Sequence, residues 1–102
     1  FDAVVVVNYL WRPRFEMLTG CVAPGGLFLY ETFTRRQTTL GFGPKNPAHF
    51  LEDRELLALT PQNWHILAYE DGRTDNDRYI QRIAAVRPRR DDTERLEVCA
   101  RR

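Results

Sequence analysis

The stretch CVAPGGLFLYETFT, residues 21–34, decides the fold. It opens with a proline and two glycines, which is typical of a tight turn, and continues as an apolar run, Leu27–Phe33, with the composition of a buried strand. The run ends on a carboxylate, a hydroxyl and an aromatic ring, those of Glu31, Thr32 and Phe33. Because open α/β sheets bind ligands at the carboxyl ends of their strands, this end of the run is a candidate site.

A second apolar run, Ala3–Val7, lies upstream. It shows no polar alternation, which predicts a strand covered on both faces, as in a parallel sheet. Between the two runs, residues 12–22 (RPRFEMLTGCV) have apolar side chains at helical spacing. The apolar face of this predicted helix comprises Phe15, Leu18 and Val22, widened by Met17 and Cys21. A strand, a helix and a second strand form a βαβ unit, in which the two strands are parallel. The residues that end the two strands therefore lie at the same edge of the sheet.

The rest of the chain predicts a loop, a helix and two strands. Residues 34–49 contain two glycines and two prolines, which indicates a long irregular loop that leaves the site edge and can cover it. Residues 53–59 predict a short helix with Leu56, Leu57 and Leu59 buried. Residues 64–70 and 78–86 predict an antiparallel pair joined by an extended turn. Gln81 and Arg82 then need polar partners if the last strand is central.

Composition points to one soluble domain. The 102 residues carry a formal net charge of +1, which gives no global field toward nucleic acid or membrane. No apolar run is long enough to cross a bilayer, and no signal segment is recognisable. The distant pair Cys21 and Cys99 predicts free thiols in a reducing compartment, so we expect a cytoplasmic protein. His49 and His65 have no companions at metal-ligand spacing, so no metal site is expected.

Both ends of the chain carry an expectation. Phe1 leads directly into an apolar run, which predicts a processed chain or part of something longer. Residues 87–102 hold six arginines and four acids with few large apolar residues, which predicts a solvated segment. The interleaved acids weigh against a nucleic-acid contact.

Five segments in order carry a family resemblance: FDAVVVVNYLWRP, LTGCVAPGGLFLYETF, GPKNPAHFL, AYEDG and QRIAAV. They resemble the C-terminal half of a class I S-adenosylmethionine-dependent methyltransferase, in the small bacterial tellurite-resistance-type branch. The resemblance covers about residues 1–88 as a partial methyltransferase-like α/β domain and leaves 89–102 as a charged tail. It implies a Rossmann-like sheet with strands in the order 4, 5, 7, 6, the seventh antiparallel, flanked by short helices.

The resemblance also implies a function, which is methyl transfer from S-adenosylmethionine to a small molecule. By position in the family, Asn8, Tyr9 and Leu10 would line the cofactor's methionyl part, and Thr32 and Phe33 would face the substrate. Lys45 and Asn46 in the loop are further substrate candidates, and Glu31 and Tyr9 are the catalytic ones. The family's glycine-rich turn after the first strand and the acid closing the second are not found in this sequence. We therefore expect the chain alone neither to bind cofactor nor to catalyse.

Each candidate also has a purely structural interpretation: Asn8 as a helix cap, Tyr9 and Trp11 as packing aromatics, Glu31 as an ion-pair partner of Arg35 or Arg36, and Lys45 and Asn46 as turn residues.

A second function class is an assembly module. Without neighbouring strands, Ala3–Val7 would be an exposed apolar edge that pairs with a missing N-terminal half or with a second copy. This alternative predicts an oligomer. A nucleic-acid binder that uses the arginines of the tail ranks third.

Overall fold

The computed structural model describes residues 1–41 and 46–89. Within them, one mixed sheet contains β1 (Ala3–Val7), β2 (Leu27–Phe33), β3 (His65–Arg73) and β4 (Tyr79–Val86). The helices are short: α1 (Phe15–Gly20), α2 (Glu55–Leu59) and the 3-10 helices Arg12–Arg14, Arg35–Leu40 and Pro47–His49. The class is α/β.

The strand order across the sheet is β1, β2, β4, β3. β1 runs parallel to β2, with Val5 opposite Leu29, and β4 runs antiparallel to both of its neighbours. The last strand in sequence therefore lies between the second and third, which is the arrangement that the resemblance implied for these four segments. Their numbering as strands 4, 5, 7 and 6 of a longer sheet stays a prediction.

A glycine turn delivers the chain into β2. The amide of Gly26 donates to the carbonyl of Ala23 at 2.7 Å, and Gly25 adopts φ 78°, the left-handed conformation of the third residue in a type II turn. A Cβ on Gly26 would lie 2.8 Å from the Ala23 oxygen and 3.0 Å from that of Asp2. The turn thus brings the start of β2 against β1, where the Leu27 amide donates to Asp2 at 2.9 Å.

The core lies on one face of the sheet and is rich in aromatic rings. The ring centre of Phe15 on α1 lies 5.7 Å from that of Phe28 and 5.1 Å from that of Tyr30, and Trp64 lies 6.0 Å from Phe28. The predicted apolar face of α1 is found in part, with Phe15 and Val22 buried and Leu18 packed against them.

The opposite face is less covered than the sequence predicted. β1, expected to be covered on both faces, is an edge strand with Val5 61% and Val7 53% exposed. Val4 and Val6 pack against the core, so coverage alternates along the strand. Leu57 and Met17 are also exposed, contrary to prediction, because they lie on the outer sides of short helices.

The bounds of several segments differ from the prediction. The helices predicted over residues 12–22 and 53–59 are the shorter α1, Phe15–Gly20, and α2, Glu55–Leu59. β3 continues to Arg73, through residues assigned to the turn, because Asp71, Gly72 and Arg73 all pair with β4. Residues 34–49 include two 3-10 helices and so are more regular than predicted. The predicted tail, residues 89–102, lies outside the described residues except for Arg89.

Gln81 has the partners that a central strand requires. It is fully buried, its Oε1 accepts from the Leu56 amide at 3.1 Å, and its Nε2 donates to the Glu52 carbonyl at 2.6 Å. α2 follows Arg54, which adopts φ 61° and supplies no side-chain cap. The side chain of Gln81 on β4 therefore caps the N-terminus of α2, and this contact fixes α2 against β4.

None of the described helices combines the length and the apolar character needed to cross a membrane.

Candidate functional site at the strand ends

A pocket of about 510 Å³ lies at the carboxyl ends of β1 and β2. We call it the rim pocket. Its lining residues are Asn8, Tyr9, Leu10, Trp11, Arg14, Thr32 and His49. The volume is within the range of about 300–1,000 Å³ that ligand sites occupy. The structure thus brings the three residues predicted for the cofactor together with Thr32, predicted for the substrate.

Asn8 turns the chain at the end of β1. Its amide donates to the Glu31 carbonyl at 2.9 Å, which extends the strand pairing by one bond, and its side-chain oxygen accepts from Arg78. Its φ of 56° lies in the left-handed region, which asparagine tolerates better than most residues. The residue that flanks the first 3-10 helix is Trp11, so the interpretation of Asn8 as a helix cap is wrong.

The aromatic residues of the rim pocket are not core residues. Tyr9 is 41% and Trp11 47% exposed, so the packing interpretation does not describe either ring. The backbone beneath them is fixed, because the Tyr30 hydroxyl donates to the Tyr9 carbonyl. Burial of Tyr30 raises its pKa far above the usual tyrosine value, so the hydroxyl stays protonated and remains a donor.

Arg12 ties two walls of the rim pocket together. Its guanidinium binds the Glu55 carboxylate and donates to the carbonyls of Ala48 and Phe50, each at 2.7 Å. Burial pushes the pKa of Glu55 up, but the hydrogen bonds from Arg12 and from the Glu52 amide, together with the charge of Arg12, outweigh burial and lower the pKa. The segment that contains His49 is thereby held beside Trp11 and Arg14. The 43-residue separation of Arg12 and Glu55 gave no signal in the sequence.

The triplet at the end of β2 divides between two faces of the sheet, because successive strand residues point to opposite sides. Thr32 is buried and lines the rim pocket, whereas Glu31 and Phe33 are not among its lining residues. The Glu31 carboxylate lies 2.6 Å from Arg82 and 3.6 Å from Arg78. The guanidinium of Arg78 lies 4.7 Å from the ring centre of Phe33.

Glu31 therefore forms an ion pair, but not with the predicted arginines. Arg35 binds Glu52 instead, and Arg36 makes no ion pair with any described residue. The reason is register: Glu31 stands directly opposite Arg82 across the β2–β4 pair. Strand pairing already holds opposite charges side by side in cross-strand neighbours, so no loop has to be ordered to bring them together.

Of the two substrate candidates in the loop, Lys45 and Asn46, only Asn46 is among the described residues. The side chain of Asn46 accepts from the Ala48 amide at 3.0 Å and caps the 3-10 helix Pro47–His49, which agrees with the turn interpretation. Lys45 lies outside the described residues, as does Cys99. In the described part of the chain Cys21 is a free thiol, and no three His, Cys, Asp or Glu side chains cluster as metal ligands.

Sequence reasoning missed three lining residues, Trp11, Arg14 and His49. Trp11 was interpreted as a packing aromatic. The signal for His49 was present, since its loop was expected to cover this edge. Arg14 carried no signal, because the proline-containing turn at residues 12–14 was predicted as continuous helix.

A solved structure shares this architecture. The N-methyltransferase NodS from Bradyrhizobium japonicum WM9 matches with a TM-score of 0.60 at 15% sequence identity. The match covers 86% of this chain and 51% of NodS. The fold of this chain is therefore similar to part of the fold of this methyltransferase.

The match has limits in extent. This chain spans about half the length of NodS. No protein-family model matches the sequence, and no curated protein matches it.

Proposed function

We propose that this chain forms the C-terminal portion of an S-adenosylmethionine-dependent methyltransferase that acts on a small molecule, in the tellurite-resistance-type branch. One observation carries the proposal. Two parallel strands end beside a ligand-sized pocket within a sheet whose fold matches that of a methyltransferase. In open α/β sheets, this is the edge at which ligands bind.

The residues of the rim pocket fit the cofactor in part. When bound, S-adenosylmethionine supplies an electrophilic methyl group on a sulfonium centre. Asn8, Tyr9 and Leu10 would hold its methionyl part, with the exposed Tyr9 ring offering a π face to the cation. No Asp or Glu among the described residues lines the pocket, so a carboxylate that could accept from both ribose hydroxyls is not provided there. We therefore propose that this chain alone does not bind the cofactor.

The proposed substrate and catalytic roles differ in how well they are placed. Thr32 lines the rim pocket, and Tyr9 does so as well. Glu31, the proposed base, is held by Arg78 and Arg82 on the other face of the sheet, and Phe33 lies beneath Arg78. Tyr9 is thus the better placed of the two catalytic candidates, and Asn46 reaches the site only through the segment that it caps.

The genetic test is the reading frame upstream of the Phe1 codon. We expect it to continue and to encode a strand, a glycine-rich turn and a helix. A frame that continues without such a turn would contradict the proposal. Calorimetric titration of the 102-residue chain with S-adenosylmethionine should show no binding, and clear micromolar affinity would overturn the half-site argument.

The activity test uses the protein encoded by the complete frame. Transfer of a labelled methyl group from S-adenosylmethionine to a small-molecule fraction should fall by about tenfold in Tyr9→Ala, because the cation–π contribution of a ring is about 0.5–2 kcal/mol. Tyr9→Phe keeps the ring and should retain most of the activity. Wild-type activity in Tyr9→Ala would remove Tyr9 from the proposed site.

A second candidate function is an assembly module, favoured by the exposure of β1. This edge strand pairs with β2 alone within the described chain, and Val5 and Val7 are more than half exposed. Such an edge offers unpaired backbone groups and apolar side chains to another strand. We propose that it pairs with an N-terminal portion of the same domain or, failing that, with a second copy.

Sedimentation velocity over a range of protein concentrations tests this alternative. We expect self-association that Val5→Lys abolishes. Leu67→Lys is the matched control, because Leu67 is 55% exposed on β3 at the opposite edge. A chain that stays monomeric at high concentration would rule out the second copy as partner.

A further inference from the structure

The rim pocket is lined by basic side chains and by no acidic side chain of the described residues. Its ionisable lining residues are Tyr9, Arg14 and His49, and no described Asp or Glu lines it. The chain as a whole is nearly neutral, with a formal net charge of +1. The absence of acids at this site is therefore a local property of the pocket and gives it a positive character.

Arg14 lines the pocket. Its backbone amide donates to the Trp11 carbonyl at 3.0 Å, but its side chain makes no hydrogen bond or ion pair with any described residue. Arg12, two residues earlier in the same 3-10 helix, is fully engaged by Glu55, Ala48 and Phe50. The two arginines of this turn thus have different roles: Arg12 holds the pocket wall together, and Arg14 places beside the pocket a guanidinium that pairs with no described residue.

Thr32 adds a hydroxyl group to the lining. The residue is 1% exposed and lines the pocket. A threonine hydroxyl can donate one hydrogen bond and accept others, so it can pair with a polar group of a ligand.

Two aromatic rings and one leucine form an apolar part of the lining. Trp11 and Tyr9 expose almost half of their surfaces while lining the pocket, and Leu10 is buried against the core. Rings exposed in this way offer stacking surfaces to a planar ligand. A guanidinium matches a carboxylate or phosphate in bidentate geometry.

We propose that the rim pocket selects a small aromatic anion, with Arg14 pairing its charged group and Trp11 stacking on its ring. The inference rests on the proposed function in one respect, since it assigns this class of molecule as the methyl acceptor of that site. Thr32 donates to or accepts from the polar group of the acceptor. The anion itself is recognised by this chain's own residues and needs no cofactor.

The test is a fluorescence titration of the 102-residue chain without cofactor. Its two tryptophans are distinguishable, because Trp64 is 8% exposed and Trp11 is 47% exposed. Benzoate and phenyl phosphate should quench the emission saturably. Benzyl alcohol and benzylamine, equal in ring but neutral or cationic, should bind at least about tenfold more weakly, because a charge-assisted hydrogen bond is worth about 1.5–3 kcal/mol.

Three variants assign the binding. Arg14→Gln should weaken benzoate by about tenfold or more, whereas Arg54→Gln, an exposed arginine outside the pocket, should leave it unchanged. Trp11→Phe should remove the quenching signal but keep benzoate binding measurable by calorimetry. Because the Arg14 side chain makes no hydrogen bond or ion pair with a described residue, its variant should keep the wild-type far-ultraviolet spectrum and melting temperature.

Several outcomes would overturn the inference. These are no saturable quenching by benzoate, equal affinities for all four probes, or benzoate binding that is unaffected by Arg14→Gln. The outcome is separable from that of the proposed reaction. Anion selectivity without methyl transfer by the complete protein would refute the reaction alone, and methyl transfer without anion selectivity would refute the acceptor class alone.

Discussion

Replacing Gln81 with leucine should destabilise the contact between sheet and helix that holds α2. Gln81 is fully buried, and its side chain accepts from the Leu56 amide at 3.1 Å and donates to the Glu52 carbonyl at 2.6 Å. Leucine is similar in size but leaves both backbone groups without a partner. A stranded buried group costs about 1–3 kcal/mol, and the Glu52 carbonyl is partly accessible and so falls at the low end. We expect the free energy of unfolding to fall by about 2–4 kcal/mol.

Urea and thermal unfolding followed by circular dichroism measure this loss. For a domain of this size the melting temperature should fall by roughly 8–30 °C, at roughly 4–8 °C per kcal/mol. Gln62→Leu, at an exposed position in the following loop, is the matched control and should change stability little. A loss below about 0.5 kcal/mol in Gln81→Leu, the level of an ordinary surface substitution, would refute the capping role.

Three further predictions concern other described contacts. The pKa of Glu55 is lowered from its ordinary value of 4.5, so its contribution to the free energy of unfolding should be present above that value and disappear as the pH falls through the folded-state pKa. Urea unfolding measured at several pH values should show this loss, and the pH dependence should be absent from Arg12→Met. Arg54→Gly should raise the free energy of unfolding by about 0.5–1 kcal/mol, since φ 61° suits glycine, and a lower urea midpoint would contradict this. Gly26→Ala should lower the melting temperature because its Cβ meets backbone oxygen, while Gly20→Ala, with open space at the end of α1, should raise it; a shift in the same direction for both would argue against this packing.

The parts of the fold that local sequence determines were predictable. Ala3–Val7 and Leu27–Phe33 have the predicted bounds, because each is an uninterrupted apolar run and the second follows a glycine turn. The coverage of β1 was not predictable in the same way. A run of valines suits a central strand, and only the tertiary arrangement of the described chain leaves Val5 and Val7 exposed.

The candidate site was predictable at the level of strand ends and not at the level of side chains. Asn8, Tyr9, Leu10 and Thr32 do line one pocket, since parallel strands end at the same edge. The separation of Glu31 from Thr32 follows from strand alternation, so that signal was available in the sequence. The contact of Arg12 with Glu55 depends on two segments 43 residues apart meeting in space, and no local pattern encodes it.

The central position of β4 has a consequence for how the sheet assembles during synthesis. β4 follows β3 in sequence but separates it from β2, so β2 and β3 have no partner in common until residues 79–86 have left the ribosome. Until then β2 pairs only with β1 among the described strands, and Phe28 and Tyr30 still lack Ala85 and Ile83 opposite them. Closure of the sheet is therefore a late, non-local event, and these two rings gain their neighbours on β4 only after most of the described chain has been made.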